Sequence, residues 1–536
     1  MSTISIRVLT FVCWLLTAPL MLAPGAIGGD FPGLHYGPGT TVIDAPRLPS
    51  GIPDYRQAIA NKLSAGVTPD KNAWCLLCEN FRPSLPEAYL PALKKEPGFE
   101  NAGRLPLGPW PDDPASRDSF WVEMDVANSR PWTRDECPRV AAWLESNREP
   151  LDLACRAVAR PMSFAPIIVP DGEPVVQGVL GHGLHSRDLA WALSARANHA
   201  IGLGRFEDAW SDVLAGHRLA RHLGRGHSVI ELMFGWLVVA NLKEATVEAI
   251  VSTPGGPEAV ASRWRALEPH LLCNVRLAEI LESERLLLLD SILRYRSSRF
   301  ALDTYFFEDP PLRADVGPLQ LPAFYGKSLL RFLRWKAISS IDANEDLKLA
   351  NQYYDEAITA FKRDSIRTRA SAFRAIDEKY LTRPGMPERY PGLRNLVAEV
   401  VGALRKFPIV GMLRKHAIPF EQVDEGVRRN SQWNQLFLAS ALAEMHRRET
   451  GRDIETGAVF VGLQEKFLPG STALKPTDLY HKKPLRVRRE PEALVIYSVG
   501  PNGRDDIGRT WNEEAGDGDF TVRLPRRPPG GHCVPQ

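Results

Sequence analysis

From residue 186 to residue 251 apolar positions fall every three or four residues, the period of a helix with one buried face. Leu189, Leu193, Ala197 and Ala200 mark a first helix, and Gly202-Leu203-Gly204-Arg205 breaks it. Phe206, Ala209, Trp210, Val213, Leu214 and His217 carry the period on to Leu223, where Gly224-Arg225-Gly226 breaks it again. The same period predicts helices over 54–81, from Thr133 to about Asn147, over Leu151–Val158 and over 274–296, then over about 327–380, 393–406 and 420–449. Thr133 with Glu136 three residues on reads as a capping box. The Pro- and Gly-rich stretches 97–133 and 302–326 predict loops. After Gly451 the period drops to 2, and Leu485–Arg488, Leu494–Val499 and Phe520–Leu524 predict three strands. Pro501-Asn502-Gly503 is a turn signal between the last two, followed by an acidic loop over 503–519.

These elements predict a mainly α chain: an irregular, repeat-like helical-hairpin body with a small C-terminal α+β module. At 536 residues several packing units are expected. The boundaries read as 1–28 for a signal peptide or membrane anchor, 29–53 for a linker and 54–185 for a helical region with long loops. Residues 186–419 form the helical body, repeat-like at 186–251; 420–525 form the helix-plus-sheet module, and 526–536 a disordered tail. Sixty-six basic against 64 acidic residues leave no excess that would mark a nucleic-acid partner.

The first 28 residues set the expected compartment. Arg7 precedes the uncharged run Val8 to Ala23, and Ala26 and Gly28 occupy the −3 and −1 positions of a cleavage site. The run is short for a spanning helix of about 20 residues, which favours a cleaved signal over a retained anchor. The chain is therefore expected to be exported, periplasmic or anchored by this segment, and to touch the membrane through it alone. Oxidising conditions permit disulfides among Cys75, Cys78, Cys137, Cys155, Cys273 and Cys533, but the spacing is sparse for a framework. Trp74-Cys75-Leu76-Leu77-Cys78 resembles the WCxxC of thioredoxin-like oxidoreductases. It sits inside a predicted helix instead of after a strand, so buried structural cysteines are expected. Glu79 after Cys78 excludes a c-type haem site.

Two resemblances add to this reading. Gly-Arg-Phe-Glu-Asp-Ala at 204–209 looks like the inter-helix turn of a tetratricopeptide repeat, though no 34-residue period follows. Lys483-Pro484-Leu485-Arg486-Val487-Arg488 and Tyr497-Ser498-Val499-Gly500-Pro501-Asn502-Gly503-Arg504-Asp505-Asp506 resemble the C-terminal half of a type II secretion major pseudopilin head. That resemblance implies a helix packed on a small sheet and a loop that holds a structural calcium, for which Asp505, Asp517 and Asp519 are the candidate ligands. No assembly-helix motif opens the chain, so it does not extend to filament formation. As a whole the chain resembles a group of uncharacterised exported proteins of planctomycete-type bacteria, on residues 63–73 and 131–150 and the 186–251 hairpin.

Other chemistry is sparse. Six of the 12 histidines, His182, His185, His199, His217, His222 and His227, lie close in sequence. The five-residue steps 217–222–227 turn about 140° around a helix and send the rings apart, so helix histidines, exposed or partly buried, are expected. Glu279, Glu282 and Arg285 read as a solvated ion-pair face. Lys482, Lys483, Arg486, Arg488 and Arg489 read as a solvated sheet face. No HExxH, GxSxG, P-loop or Glu-x-x-His pattern occurs, and no catalytic or cofactor residue is assigned. The expected role is a non-enzymatic scaffold or binding module of the cell envelope with a protein partner. The alternative is an envelope enzyme with its site between helical units; it requires convergent polar groups in a deep pocket, whereas a scaffold requires a groove or apolar patch.

Overall fold

The computed structural model describes residues 33–81, 89–111, 113–169, 174–179, 181–272, 277–297, 343–363, 366–381, 420–471, 474–512 and 517–525. The expected targeting segment 1–28, the 302–326 loop, the 393–406 helix, the 526–536 tail, Cys273 and Cys533 lie outside the described residues. The described chain is mainly helical, with fifteen α-helices and a small antiparallel sheet at its C-terminal end. No helix among the described residues is long and apolar enough to cross a membrane.

The N-terminal region departs from its expected helices in three places. The span 54–81 divides into α1 (Tyr55–Leu63) and α2 (Ala73–Leu77), because Gly66 takes φ +74° and a turn follows. After α3 (Tyr89–Leu93), the expected 97–133 loop contains a sixteen-residue helix, α4 (Pro114–Ser129), with Pro in its first turn and the Asp113 carboxylate accepting from Ser116 N. Thr133 N does donate to Glu136 Oε2 at 2.9 Å, yet α5 (Pro138–Ser146) starts only afterwards. Its free amides at Arg139 and Val140 are taken by Glu123 of α4, at 2.7 and 3.1 Å. Helix α6 (Arg148–Val158) then lies against the second helix of the body.

Three helices form the centre: α7 (Gly181–Gly202), α8 (Phe206–Leu223) and α9 (Val229–Ser252), each packed on the other two. Gly204 at φ +71° makes the first turn, as the glycine break implied. Close approach rests on small residues. A Cβ at Gly216 would strike Leu242, and one at Gly202 would strike the backbone of Trp132. Helices α10 (Pro257–Leu267) and α11 (Leu277–Ser297) touch α9, α12 (Ala343–Phe361) packs on α11, and α13 (Ile366–Leu381) packs on α12.

The last helices are α14 (Phe420–Thr450) and α15 (Phe460–Phe467); they lead to a two-stranded ribbon, β1 (Thr477–Asp478) and β2 (Lys483–Pro484). The main sheet has the order β3 (Arg486–Arg489), β4 (Ala493–Ser498), β5 (Phe520–Pro525). Both pairs are antiparallel, with Val487 opposite Ile496 and Ile496 opposite Val522. These are the strands that the period of 2 located. The 31-residue α14 packs on α9 and α10 as well as on β4 and β5, so helices and sheet share one continuous core.

Candidate functional groove

Helix α9 is strongly apolar through its first three turns, with Glu231 as the one charge before Lys243, Glu244 and Glu248 in its second half. Ser228 and Glu231 cap it reciprocally, and the Glu284 carboxylate of α11 accepts its first amide, Val229 N, at 3.1 Å. Its inner face packs into α7 and α8, with Leu232, Val239 and Leu242 buried. The outer face is not enclosed. Met233 is 47 % exposed, and with Ile230, Phe234, Trp236 and Leu237 it lines a groove of about 630 Å³ that α14 and the sheet complete.

The far wall comes from Gly426, Arg429, Asn430 and Trp433 of α14, and from Trp511, Phe520 and Thr521. Phe520 is the hub, with ring centroids 5.7 Å from Trp433 and 5.6 Å from Trp511. Gly426 is required because a Cβ there would collide with the Trp236 ring. Lys243 Nζ lies 5.1 Å over the Trp433 ring. The Arg429 guanidinium lies 5.5 Å from the Trp511 ring centre and holds Glu425 at 3.1 Å. The contact pairs Trp236–Gly426 and Lys243–Trp433 keep a constant offset, so α9 and α14 run in parallel register along the groove. The indole N–H groups of Trp236 and Trp511 are closed to water and have no hydrogen-bond partner among the described residues. Each such group costs about 1–3 kcal/mol, which makes this wall an unusual place to leave two.

The residues singled out from the sequence sit elsewhere or serve other ends. Asp519 is fully buried next to the groove, and its oxygens accept from Gly508 N at 2.7 Å and Asp506 N at 3.3 Å. Burial pushes its carboxyl upward while these amides oppose the shift. Asp517 pairs with Arg509 at 2.9 Å and Asp505 with Arg486 at 3.1 Å. The three candidate calcium ligands thus hold the loop through amides and arginines. Among the described residues no three or more His, Cys, Asp or Glu side chains gather as a metal site. The arginines of the basic run are likewise ion-paired, Arg488 with Glu490 and Arg489 with Glu455, while Lys482 and Lys483 are exposed.

Four histidines correct the expectation of surface or half-buried rings, since His185, His217, His222 and His227 are all buried; His199 is half-buried as expected, and the His182 side chain lies outside the described residues. Their rings do part company, as the helical spacing required. His217 Nε2 meets Thr246 Oγ1 at 3.0 Å, His222 Nε2 meets the Val158 carbonyl at 3.0 Å, and His227 Nδ1 meets Glu231 at 3.0 Å. Burial lowers His217 to about 3 and His222 to about 4, so both are neutral. Cys75 and Cys78 are free and buried, and desolvation raises the Cys75 thiol to about 11, far from a reactive thiolate. Arg285 is also buried, against the expected solvated face, because it reaches Asp355 of α12 at 2.7 Å.

Comparison with protein families, with curated proteins and with solved structures finds no match to the chain.

Proposed function

We propose that the chain is an exported, non-enzymatic binding module or scaffold of the cell envelope, and that the groove between α9, α14 and the sheet is its contact surface. One observation carries this reading: the apolar first half of α9 presents a stripe through the exposed Met233 that no other described element covers. An enzyme site would gather convergent polar groups, whereas this lining is aromatic and aliphatic with a few polar atoms. The α7–α8 hairpin with its Gly204 turn supports the repeat-like view of the body. The long α14 followed by three antiparallel strands supports the pseudopilin-like view of the tail. Export, and a protein partner in the envelope, belong to the same proposal.

A photo-crosslinking side chain placed at Met233 tests it, with Ile507, 61 % exposed in the 503–519 loop and outside the groove lining, as the control position. Crosslinking in the native envelope from Met233 and not from Ile507 is the expected result. Equal yields from both positions would remove the groove as the contact surface.

A further inference from the structure

We infer, resting on the groove as contact surface, that its partner enters as an uncharged apolar peptide segment whose backbone amides pair with three neutral polar atoms of the wall. The charged groups of the lining already have counter-groups. Lys243 lies 3.8 Å from Glu244, Arg429 is held by Glu425 at 3.1 Å, and the buried Asp519 carboxylate is taken by backbone amides. None of them calls for a charged ligand.

What remains is neutral. Asn430 of α14 is buried, and its amide nitrogen is spent on the Leu272 carbonyl, which leaves Oδ1 with no hydrogen-bond partner among the described residues. The indole N–H groups of Trp236 and Trp511 stand in the same position. The wall thus holds two donors and one acceptor, all withdrawn from water. Their desolvation is already suffered in the chain alone, so a ligand group that reaches them gains a hydrogen bond without stripping water from the protein. Reaching them takes a turn of the indole rings about χ2, a broad torsion in tryptophan. Asn430 stands one helical turn beyond Gly426, which the Trp236 ring covers, so the same movement opens Oδ1.

Donors and an acceptor on an otherwise apolar wall select an amide. Each peptide group brings one carbonyl and one N–H without charge, and Ile230, Met233, Phe234, Leu237 and Phe520 suit the apolar side chains between them. A plain aliphatic chain pairs with none of the three atoms. A sugar brings more hydroxyls than they can pair, and each one left over is costly to bury. Size agrees: from Met233 to Lys243 the α9 wall runs about 15 Å at 1.5 Å per residue, the length of about five residues of extended chain. The 630 Å³ volume lies within the range of ligand sites.

The test is calorimetric titration of the full chain with a capped pentapeptide of alternating leucine and alanine, kept soluble by a glycol tail. Analogues replace one amide at a time by an ester, which removes an N–H and weakens a carbonyl acceptor while the side chains stay the same. The parent peptide is expected to bind one site, and at least one ester about fivefold more weakly, the scale of one hydrogen bond. Trp236→Phe and Trp511→Phe each keep a ring and lose the indole N–H; the ester penalty at the amide concerned should vanish in one or both, with folding checked by thermal melts. Equal affinity of the parent and every ester overturns the amide pairing and leaves the groove an apolar contact surface. Decanol binding as tightly as the peptide does the same, and a gain in affinity from a central glutamate or lysine overturns the neutral reading of the wall. No saturable binding of the peptide overturns the inference outright, and crosslinking at Met233 then decides separately whether the groove meets a protein.

Discussion

In the helical body Arg196 forks onto Asp212, Nε to Oδ2 at 2.9 Å and Nη2 to Oδ1 at 2.6 Å, and reaches Asp152 with its third nitrogen at 2.8 Å. In the C-terminal module Arg486 reaches Asp505 at 3.1 Å, a distance no less sound. The surroundings differ. Asp212 has a side chain 4 % exposed, whereas that of Asp505 is 45 % exposed. Water already solvates Asp505, so its partner adds little; nothing but Arg196 and its neighbours solvates Asp212. The same bond list thus describes an interaction the body depends on and one the tail does not. Geometry already favours the forked pair of the body, and burial widens the difference.

Removing Arg196 gives the largest expected effect. Arg196→Met leaves the Asp212 charge buried beside the Cys155 thiol, and the expected loss is about 3–5 kcal/mol by urea unfolding. A loss below about 1 kcal/mol would show that water enters this site, and the distinction between body and tail would collapse.

The second prediction uses pH to read the same burial. Burial raises the Glu284 carboxyl to about 7, with the neighbouring Glu231 charge adding to the shift. From pH 4.5 to 7 the unfolded carboxyl ionises while the folded one keeps its proton, so stability is lost as pH rises and stays lost above 7. His217 and His222 act in the opposite sense. Below pH 6.5 the unfolded rings take up protons that the folded ones refuse, and stability falls as pH drops. Glu284→Gln keeps an acceptor for Val229 N and removes only the first dependence. Relative to the parent, the variant should gain on the order of 3 kcal/mol in stability on going from pH 5 to pH 8. An unchanged difference between the two pH values would mean that Glu284 is hydrated.

The two regions also differ in how far the sequence discloses them. The strands show as the short apolar run of β4, buried on both faces, and as alternation in β3 and β5, although Thr521 of β5 is buried as well. The α7–α8–α9 boundaries were readable because glycines mark them. Helix α4 was missed although Asp113 and Pro114 spell an N-cap and a first turn, since the Trp, Pro and Gly around them read as loop. The groove was not legible at all. The first half of α9 is too uniformly apolar to show a face, and the wall opposite arrives from Trp433 and Phe520, some 200 and 290 positions away. The buried histidines were hidden for a similar reason: helical spacing shows that the rings diverge, but not what each of them meets.

Two helical glycines sharpen the contrast at the groove. Gly426 faces the Trp236 ring, while Gly462 of α15 has open space where a Cβ would stand. Gly426→Ala must push the ring aside, at about 1–3 kcal/mol, partly offset by roughly 1 kcal/mol of helix propensity. Gly462→Ala collects the propensity alone and should stabilise by about 0.5–1 kcal/mol. Thermal melts of the two variants should move in opposite directions, and tryptophan emission should change in Gly426→Ala only. Movement in the same direction would mean that the Trp236 ring is free to leave α14.

The smallest expected effect lies in the loop whose carboxylates invited a calcium reading. Asp505→Asn removes one half-exposed partner of Arg486, which keeps Asp478 at 3.6 Å, so the change should stay below about 1 kcal/mol. Buried Asp519 fixes the loop by accepting Gly508 N and Asp506 N, and Asp517 is drawn to Arg509. A cation would have to displace these donors or arginines before it gathered several of the carboxylates, and calcium takes six to eight oxygens. Melting curves in calcium and in chelator are therefore expected to superimpose. A higher melting temperature in calcium, lost in Asp505→Asn, would show that the arginines yield their carboxylates and that the loop takes up a second arrangement around the ion.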